Sequence, residues 1–285
     1  FSGSLDLEDN GEVYAQASKN DFAVLWFASR LEQARSEVDR LLADFKLSEA
    51  LKTIYSLIWD DFCSWYLEWV KPAHERPIDP GIYRHTISFF TELMQMLHPF
   101  MPFITEEIYH LLDERKDDLA VKQGRASKKP DEAILASGAL LKEVITGLRD
   151  ARNRNKLKLK DEIKLYVMTA STDMYTSVYH ILAKQVNANA IAFNSEALGH
   201  SISLVIGKDK FFIETAEAID TASQKEELQK ELTHLQEFLL SVEKKLGNER
   251  FMQSAKPEVV ALEQRKKSDA ETKIKVIRES LKDLG

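Results

Sequence analysis

The stretch IYSLIWDDFCSWYLEWVKP, residues 54–72, decides the fold. Its apolar residues recur at spacings of three and four, which predicts a helix that begins near Ser48, continues to Val70 and is stopped by Pro72. The apolar face of this helix is wide and rich in aromatic side chains, so we expect other helices to surround it almost completely. A helical bundle is therefore predicted for this part of the chain.

The same periodicity predicts four more helices around it. They cover residues 21–45, 81–97, 103–113 and 134–155. Asp79 is suited to cap one of them, because Pro80 follows it at the first helical position. The charged residues 114–133 are typical of an exposed loop.

The hydrophobic period changes after the bundle. Strands are predicted at 163–167, 190–194, 202–206 and 211–215, with a helix at 172–186. A heptad seam and a second helix after Pro257 then predict an antiparallel coiled-coil hairpin; the seam consists of Leu228, Leu232, Leu235, Leu239, Val242 and Leu246. The predicted fold class is mainly α, with a helical bundle at 1–157, a small α/β module at 158–218 and the hairpin at 219–285.

Composition narrows the class of protein. The 285 residues include one cysteine, Cys63, which excludes a disulfide framework and a zinc site of several thiolates and makes the cytoplasm the default location. No stretch of about 20 residues is apolar enough to span a membrane, and the acidic N-terminus is unlike a signal peptide. The sequence has no glycine-rich phosphate loop, HExxH or CxxC, so we expect no catalytic residue, metal or cofactor.

The net charge of −7 hides two basic regions. Residues 149–160 contain six basic side chains and one acidic one, which is compatible with a phosphate-contacting surface and with a solvated helix end. The candidate phosphate ligands here are Arg149, Arg152, Arg154, Lys156, Lys158 and Lys160. The hairpin contains a second set of candidate phosphate ligands near its tip and on its second helix. A charged arm that is merely solvated is the alternative. The residues of this set are Lys244, Lys245, Arg250, Lys256, Arg265, Lys266 and Lys267.

Other conspicuous side chains have an ordinary structural explanation. Cys63 lies on an apolar helix, and we expect a buried, inert thiol. Asp60 and Asp61 are neighbours on a helix and point about 100° apart, so a capping or solvated role is favoured over a catalytic pair. The following aromatic residues are predicted to pack in the core, with one edge residue free to stack on a base: Trp59, Trp65, Tyr66 and Trp69.

Several segments contain recognisable motifs. LHPFMPFITEEIYHLL, residues 97–112, follows a Leu-His-Pro-x-Met-Pro-Phe-x-Thr-Glu-Glu pattern, and KKLGNERFMQSAKPEVVALEQRKK, residues 244–267, follows Lys-x-Leu-x-Asn-x-x-Phe and Pro-x-x-Val-Val-x-x-Glu. Together with 54–72 and the basic segment 145–157, they resemble the C-terminal half of valyl-tRNA synthetases, which are class I aminoacyl-tRNA synthetases. The first motif is shared with isoleucyl and leucyl relatives, whereas the second marks the valyl branch. Asp150 departs from the family pattern, which commonly has Asn there.

The resemblance implies an anticodon-binding domain at 1–157 that docks the anticodon stem-loop of tRNA-Val, and a tRNA-binding arm at 219–285 that lies near the tRNA elbow. It implies a parent enzyme that attaches valine to tRNA-Val using ATP. That enzyme's His-x-Gly-His and Lys-Met-Ser-Lys-Ser elements are missing from these residues. RASKK at 125–129 is similar to the second element only by chance. We therefore expect a non-catalytic fragment without the catalytic and editing domains.

The expected partners are tRNA-Val and the remainder of the synthetase in cis, with no membrane. The chain is expected to be a monomer whose coiled coil can form crystal contacts. Two alternatives stay open: a helical and coiled-coil module that recruits a protein partner, and the same domain from an isoleucyl or leucyl relative.

Overall fold

The computed structural model describes residues 11–72, 76–112, 117–155, 157–195, 201–214, 221–248 and 257–283. The fold is mainly α-helical with one small sheet, which confirms the predicted fold class. Contacts within the chain divide it into two compact units, residues 1–139 and 140–285. The predicted domain boundaries after residues 157 and 218 stay a prediction.

The first unit is built from helices. In chain order these are α1 (Gly11–Ala43), α2 (Leu47–Ser56), a π-helix (Leu57–Tyr66), α3 (Leu67–Val70), α4 (Pro80–Leu97), α5 (Pro102–Leu112), a 3₁₀ turn (Leu119–Val121) and α6 (Glu132–Arg154), whose C-terminal half belongs to the second unit. Asp79 caps α4, since its carboxylate accepts a hydrogen bond from the Ile82 amide at 2.9 Å.

The ten-residue π-helix interrupts the helix that the sequence predicts over 48–70. Leu57, Phe62 and Tyr66 are buried, so inward positions recur every four or five residues, as the wider π turn requires. This register turns Trp59 outward with 59% of its surface exposed, and it exposes Cys63 as well. The predictions of a nearly surrounded helix and of a buried Cys63 were wrong for this reason.

The π register also separates the two neighbouring aspartates. The Asp61 carboxylate is buried and pairs with Arg30 Nε at 2.9 Å, whereas Asp60 accepts a hydrogen bond from Ser56 at 2.7 Å. The two carboxylates therefore diverge as predicted, although Asp61 is a buried ion-pair partner and neither a cap nor a solvated residue.

An aromatic cluster forms the core of the first unit. Phe27 of α1 is fully buried, and its ring centroid lies 5.0–5.1 Å from those of Phe62, Tyr66 and Phe89. Trp69, 1% exposed, packs beside it against Trp26 with centroids 4.6 Å apart. Helices from distant parts of the chain are thus joined by ring contacts, which contribute beyond the buried area alone.

The segment predicted to be a loop at 114–133 is anchored where the structure describes it. The Arg125 guanidinium donates to Glu32 of α1 at 2.5 Å and to Glu92 of α4 at 2.7 Å. The Lys128 amide donates to the other Glu32 oxygen at 2.7 Å. Burial raises the pKa of Glu32, but the hydrogen bonds from Arg125 and the Lys128 amide outweigh it and hold that pKa below its usual value.

We expect Arg125→Ala to lower the free energy of unfolding by about 1 kcal/mol at pH 7, because it removes charge-assisted hydrogen bonds from a partly exposed site. A carboxylate with a depressed pKa stabilises the fold above its unfolded pKa, and that contribution is lost as the pH falls through the folded pKa. The difference between the native chain and the variant should therefore shrink below about pH 4. Urea unfolding at pH 7 and pH 3.5 measures it.

Arg40→Ala is the matched control, because the ion pairs of Arg40 with Glu37 and Asp44 are between exposed residues that are close in sequence. We expect no measurable change in the free energy of unfolding for this variant at either pH, because solvent screens ion pairs between exposed side chains. A pH-independent loss in the Arg125 variant would show that the Glu32 carboxylate is not its source.

The second unit contains a four-stranded sheet of strand order β2-β1-β4-β3. Its elements are β1 (Ile163–Met168), α7 (Thr172–Ser177), α8 (Tyr179–Val186), β2 (Ala188–Phe193), β3 (Ser201–Ile206) and β4 (Asp209–Glu214). β1 pairs parallel with β2 through the helical crossover and antiparallel with β4, which pairs antiparallel with β3. Gly207 provides the left-handed backbone, φ 61°, in the turn between β3 and β4.

Two long helices complete this unit, α9 (Thr221–Leu246) and α10 (Pro257–Asp283). Leu228 and Leu232 of α9 are buried together with Ile274 and Ile277 of α10, and Val205 of β3 packs against them. The antiparallel hairpin is therefore confirmed, and its base is joined to the sheet.

Candidate nucleic-acid interface

Arg149 and Arg152 lie one helical turn apart near the C-terminal end of α6 and reach the C-terminal end of α8. Arg149 donates to the Gln185 carbonyl at 3.1 Å and to the Gln185 side chain at 2.7 Å. Arg152 Nη1 donates to the Val186 carbonyl at 2.5 Å. The last carbonyls of a helix have no partner inside it, so these two arginines complete the end of α8.

Arg152 is buried, with an exposed fraction of 0%. Its Nη2 also donates to the Lys158 carbonyl and, at 2.6 Å, to the Asp161 carbonyl. Burial lowers the pKa of this guanidinium, while the nearby Asp161 carboxylate acts in the opposite direction. Since the side chain has no surface to offer a phosphate, Arg152 is removed from the direct contacts predicted from sequence.

Residues 157–161 form a turn held by its backbone, which we name the lysine turn. The Leu157 amide donates to the Arg152 carbonyl at 2.9 Å, and the Asn187 side chain donates to the Lys160 carbonyl at 2.8 Å. Lys158 and Lys160 are both exposed. The segment is therefore a compact turn that leaves both ammonium groups in solvent.

Asn187 also holds this turn, and the sequence alone did not single it out. It follows α8 with φ 52° and ψ 48°, a left-handed conformation that asparagine tolerates better than most residues. An asparagine immediately after a predicted helix was the available signal. Its long-range contact with Lys160 could not be read from the sequence.

The remaining predicted residues of the basic segment differ in position. Arg154 is exposed, and its Nε donates to the Asp150 carbonyl at 3.5 Å. Lys156 lies outside the described residues. The exposed cations of this segment, within its described part, are therefore Arg154, Lys158 and Lys160.

On the hairpin, three of the predicted lysines form ion pairs. Lys267 of α10 pairs with Glu243 of α9 at 2.9 Å, and Glu243 raises the pKa of Lys267. Glu263, 6% exposed, lies 2.7 Å from Lys266 and 3.9 Å from Lys245. These lysines link the two helices or brace one of them, so only part of their charge is available to a ligand.

The other predicted arm residues are either exposed or not described. Lys244 and Arg265 are exposed, and neither forms an ion pair with another residue in the described ranges. Arg250 and Lys256 lie outside those ranges. Lys244 and Arg265 are therefore the cations of the arm that are best placed to meet a phosphate.

Charge is unequally distributed between the two units. Residues 1–139 contain 15 basic residues (lysine and arginine) and 24 acidic ones. Residues 140–285 contain 24 basic residues and 22 acidic ones. The lysine turn and the hairpin both belong to the second unit. Binding to a polyanion responds to this local balance more than to the total charge.

The aromatic residues separate into buried and exposed groups. Tyr66 and Trp69 are buried and Trp65 is half-buried, as the core prediction requires, whereas Trp59 is exposed. The Tyr55 ring, 61% exposed, lies nearly parallel to that of Trp59, with an interplanar angle of 11° and centroids 6.4 Å apart. These two rings are part of the exposed apolar surface of the π-helix and α2.

Among the described residues, Glu106, His110 and Asp118 come closest to a metal-ligand arrangement. His110 Nε2 lies 3.2 Å from a carboxylate oxygen of each. Both oxygens of Glu106 already accept backbone hydrogen bonds, from Leu119 at 2.6 Å and from Ala120 at 3.0 Å. The Glu106 carboxylate therefore anchors the 3₁₀ turn.

No described helix is long and apolar enough to cross a membrane.

Comparison with known proteins shows two regions of similarity. Residues 25–167 match the family of anticodon-binding domains of tRNA ligases, and residues 220–285 match the tRNA binding arm of valyl tRNA synthetases. Over 275 residues, 96% of the chain, it is 36% identical to the valine–tRNA ligase of Parabacteroides distasonis and 38% identical to that of Porphyromonas gingivalis. Identity to the Bacillus subtilis valine–tRNA ligase is 27% over 271 residues. The chain spans about a third, 31%, of the length of these relatives.

Proposed function

The chain belongs to the valyl-tRNA synthetase family, in which it contains the anticodon-binding domain and the tRNA-binding arm, and we propose that it binds tRNA-Val through its second unit. The observation that supports this most directly is the lysine turn, where Lys158 and Lys160 are anchored by their carbonyls and leave their ammonium groups exposed. Phosphate contacts of this kind position a nucleic acid without reading its bases.

Arg154, Lys244 and Arg265 extend the proposed surface beyond the turn. All three are exposed, and they belong to the same unit as the turn. The ion pairs of Lys245, Lys266 and Lys267 give the hairpin a defined form, which suits the recognition of folded RNA by its shape and backbone. We assign the first three residues to phosphate contacts and the other three mainly to the form of the arm.

In a ligase of the length of its relatives, these contacts would position the tRNA for the attachment of valine with ATP as co-substrate. The remainder of such a ligase in cis would supply the ATP and amino-acid sites. We propose no catalytic residue, metal or cofactor in these 285 residues and expect them alone to support no valine-dependent ATP–pyrophosphate exchange. A monomer in the cytoplasm is the proposed state.

A second candidate, a protein-interaction module, is favoured by one observation. Leu47, Leu51, Tyr55 and Trp59 follow one another at spacings of four, and each is 38% to 61% exposed. An apolar helix face of this length is suited to another protein surface. The coiled-coil seam is less suited, because α9 and α10 bury its residues against each other at the base.

Titration of the chain with labelled tRNA-Val at several salt concentrations tests the proposed function. We expect the logarithm of the binding constant to fall linearly with the logarithm of the salt concentration. Lys158→Glu with Lys160→Glu should weaken binding at least tenfold at low salt, because two attractive contacts become repulsive. Competition with isoleucine and leucine tRNAs tests whether valine is the amino acid concerned.

The double substitution Lys46→Glu with Lys52→Glu is the control for the effect of net charge on binding. Both lysines are exposed residues of the first unit, and the change in net charge is the same. If this control weakens binding as much as the change in the lysine turn, binding depends on total charge and the proposed surface is wrong. Absence of salt-dependent tRNA binding by the native chain would favour the protein-interaction module.

A further inference from the structure

We propose that Arg152 is a positioning residue for tRNA binding: from its buried site it holds the lysine turn in the one arrangement that presents Lys158 and Lys160 together. This inference rests on the proposed function and adds to it a residue that cannot touch the RNA. Sequence reasoning placed Arg152 among the phosphate ligands, whereas its side chain is enclosed.

The contacts of Arg152 join three separate pieces of chain. Its guanidinium donates to the carbonyl of Val186 at the end of α8 and to the carbonyls of Lys158 and Asp161 near the two ends of the lysine turn. Its own carbonyl accepts from the Leu157 amide at 2.9 Å. Removing the side chain therefore frees the Lys158 and Asp161 carbonyls and breaks one of the links between the turn and α8, while the backbone bond from Leu157 remains.

Asn187 provides a second, independent attachment of the same turn. Its side chain donates to the Lys160 carbonyl at 2.8 Å, and its carbonyl accepts from the Ile163 amide at 3.1 Å. Each lysine of the turn is thus held by its backbone, Lys158 by Arg152 and Lys160 by Asn187. Such an arrangement fixes the backbone and leaves the ammonium groups available, which lowers the entropy lost when a ligand orders them.

Two of the three carbonyls to which Arg152 donates belong to the lysine turn. In the part of the chain that the structure describes, no carboxylate forms an ion pair with its guanidinium, and its hydrogen bonds all go to backbone carbonyls. Its Nε has no hydrogen-bond partner. An apolar side chain at this position would leave all three carbonyls without this donor, so the arrangement of the turn depends on the guanidinium.

A double-mutant cycle tests the proposal, with binding of labelled tRNA-Val measured over a range of salt concentrations. Lys158→Ala with Lys160→Ala should weaken binding about tenfold and reduce the salt slope by about one per lysine. Arg152→Met alone should produce a loss and a change of slope of similar size, although it removes no exposed charge. In the background without the two lysines, Arg152→Met should weaken binding less than about twofold.

Equal losses in both backgrounds would overturn the positioning role, and so would native binding by the Arg152→Met variant. Thermal unfolding monitored by circular dichroism identifies a variant that fails to fold. In that case Asn187→Ala takes its place: we expect about a threefold loss in the native chain and none when Lys160 is already alanine. An additive result there overturns the proposal as well.

Binding of tRNA-Val by the native chain distinguishes a failure of the proposed function from a failure of the positioning role alone. If it shows no salt-dependent binding of tRNA-Val, the proposed function has failed and the positioning role fails with it. If it binds with the expected salt slope and the cycle is additive, tRNA binding stands and only the role of Arg152 is overturned.

Discussion

Phe27→Ala is expected to lower the free energy of unfolding of the first unit by about 4 kcal/mol. Phe27 is fully buried and its ring contacts those of Phe62, Tyr66 and Phe89. Alanine leaves a cavity among stiff aromatic rings, which cannot collapse to fill it. All four tryptophans lie between residues 26 and 69, so tryptophan fluorescence during urea unfolding reports on this unit.

Phe45→Ala is the matched control. The substitution is the same, but Phe45 is 89% exposed, and we expect a change within about 0.5 kcal/mol. A loss below about 2 kcal/mol for Phe27→Ala would mean that the aromatic cluster repacks around the cavity, and Phe27 would then not be its centre.

Gly138→Ala is expected to lower the free energy of unfolding by about 2 kcal/mol. A methyl group at Gly138 of α6 would overlap the indole ring of Trp26, which is 2% exposed and packed against Trp69. Alanine favours the helix by about 1 kcal/mol over glycine, but overpacking against a rigid buried ring costs about 3 kcal/mol. The clash therefore outweighs the gain in helix propensity. Urea unfolding monitored by tryptophan fluorescence measures the difference.

Gly124→Ala controls for the backbone effect of the added methyl group. Apart from Gly124 itself and its two neighbours in the chain, no described residue has an atom within 4 Å of the position its Cβ would take. We expect a slight stabilisation, by about 0.5 kcal/mol, since alanine reduces the freedom of the unfolded chain. If both glycine variants behave alike, the contact of α6 with Trp26 is not as close as the structure has it.

Elements with strong periodicity could be predicted from the sequence. The heptad leucines of α9, the helix after Pro257 and the strands with alternating apolar residues all form near their predicted positions. Periodicity succeeds there because each element buries one face. It failed within 57–66, where a π-helix changes the spacing of inward residues and exposes Trp59 and Cys63. Stabilisation of the π turn depends on tertiary packing, which has no local signal.

The candidate site also has features that could be predicted from the sequence and features that depend on the tertiary structure. Sequence located the basic segment at 149–160 and the family to which the chain belongs, because charge and motif are properties of the chain itself. Only the tertiary structure decided which cations face solvent. Arg149 and Arg152 bond to carbonyls at the end of α8, more than 30 residues away in sequence, while Lys158 and Lys160 remain exposed. A guanidinium can donate to a carbonyl as well as to a phosphate, so the fold determines which of them it meets.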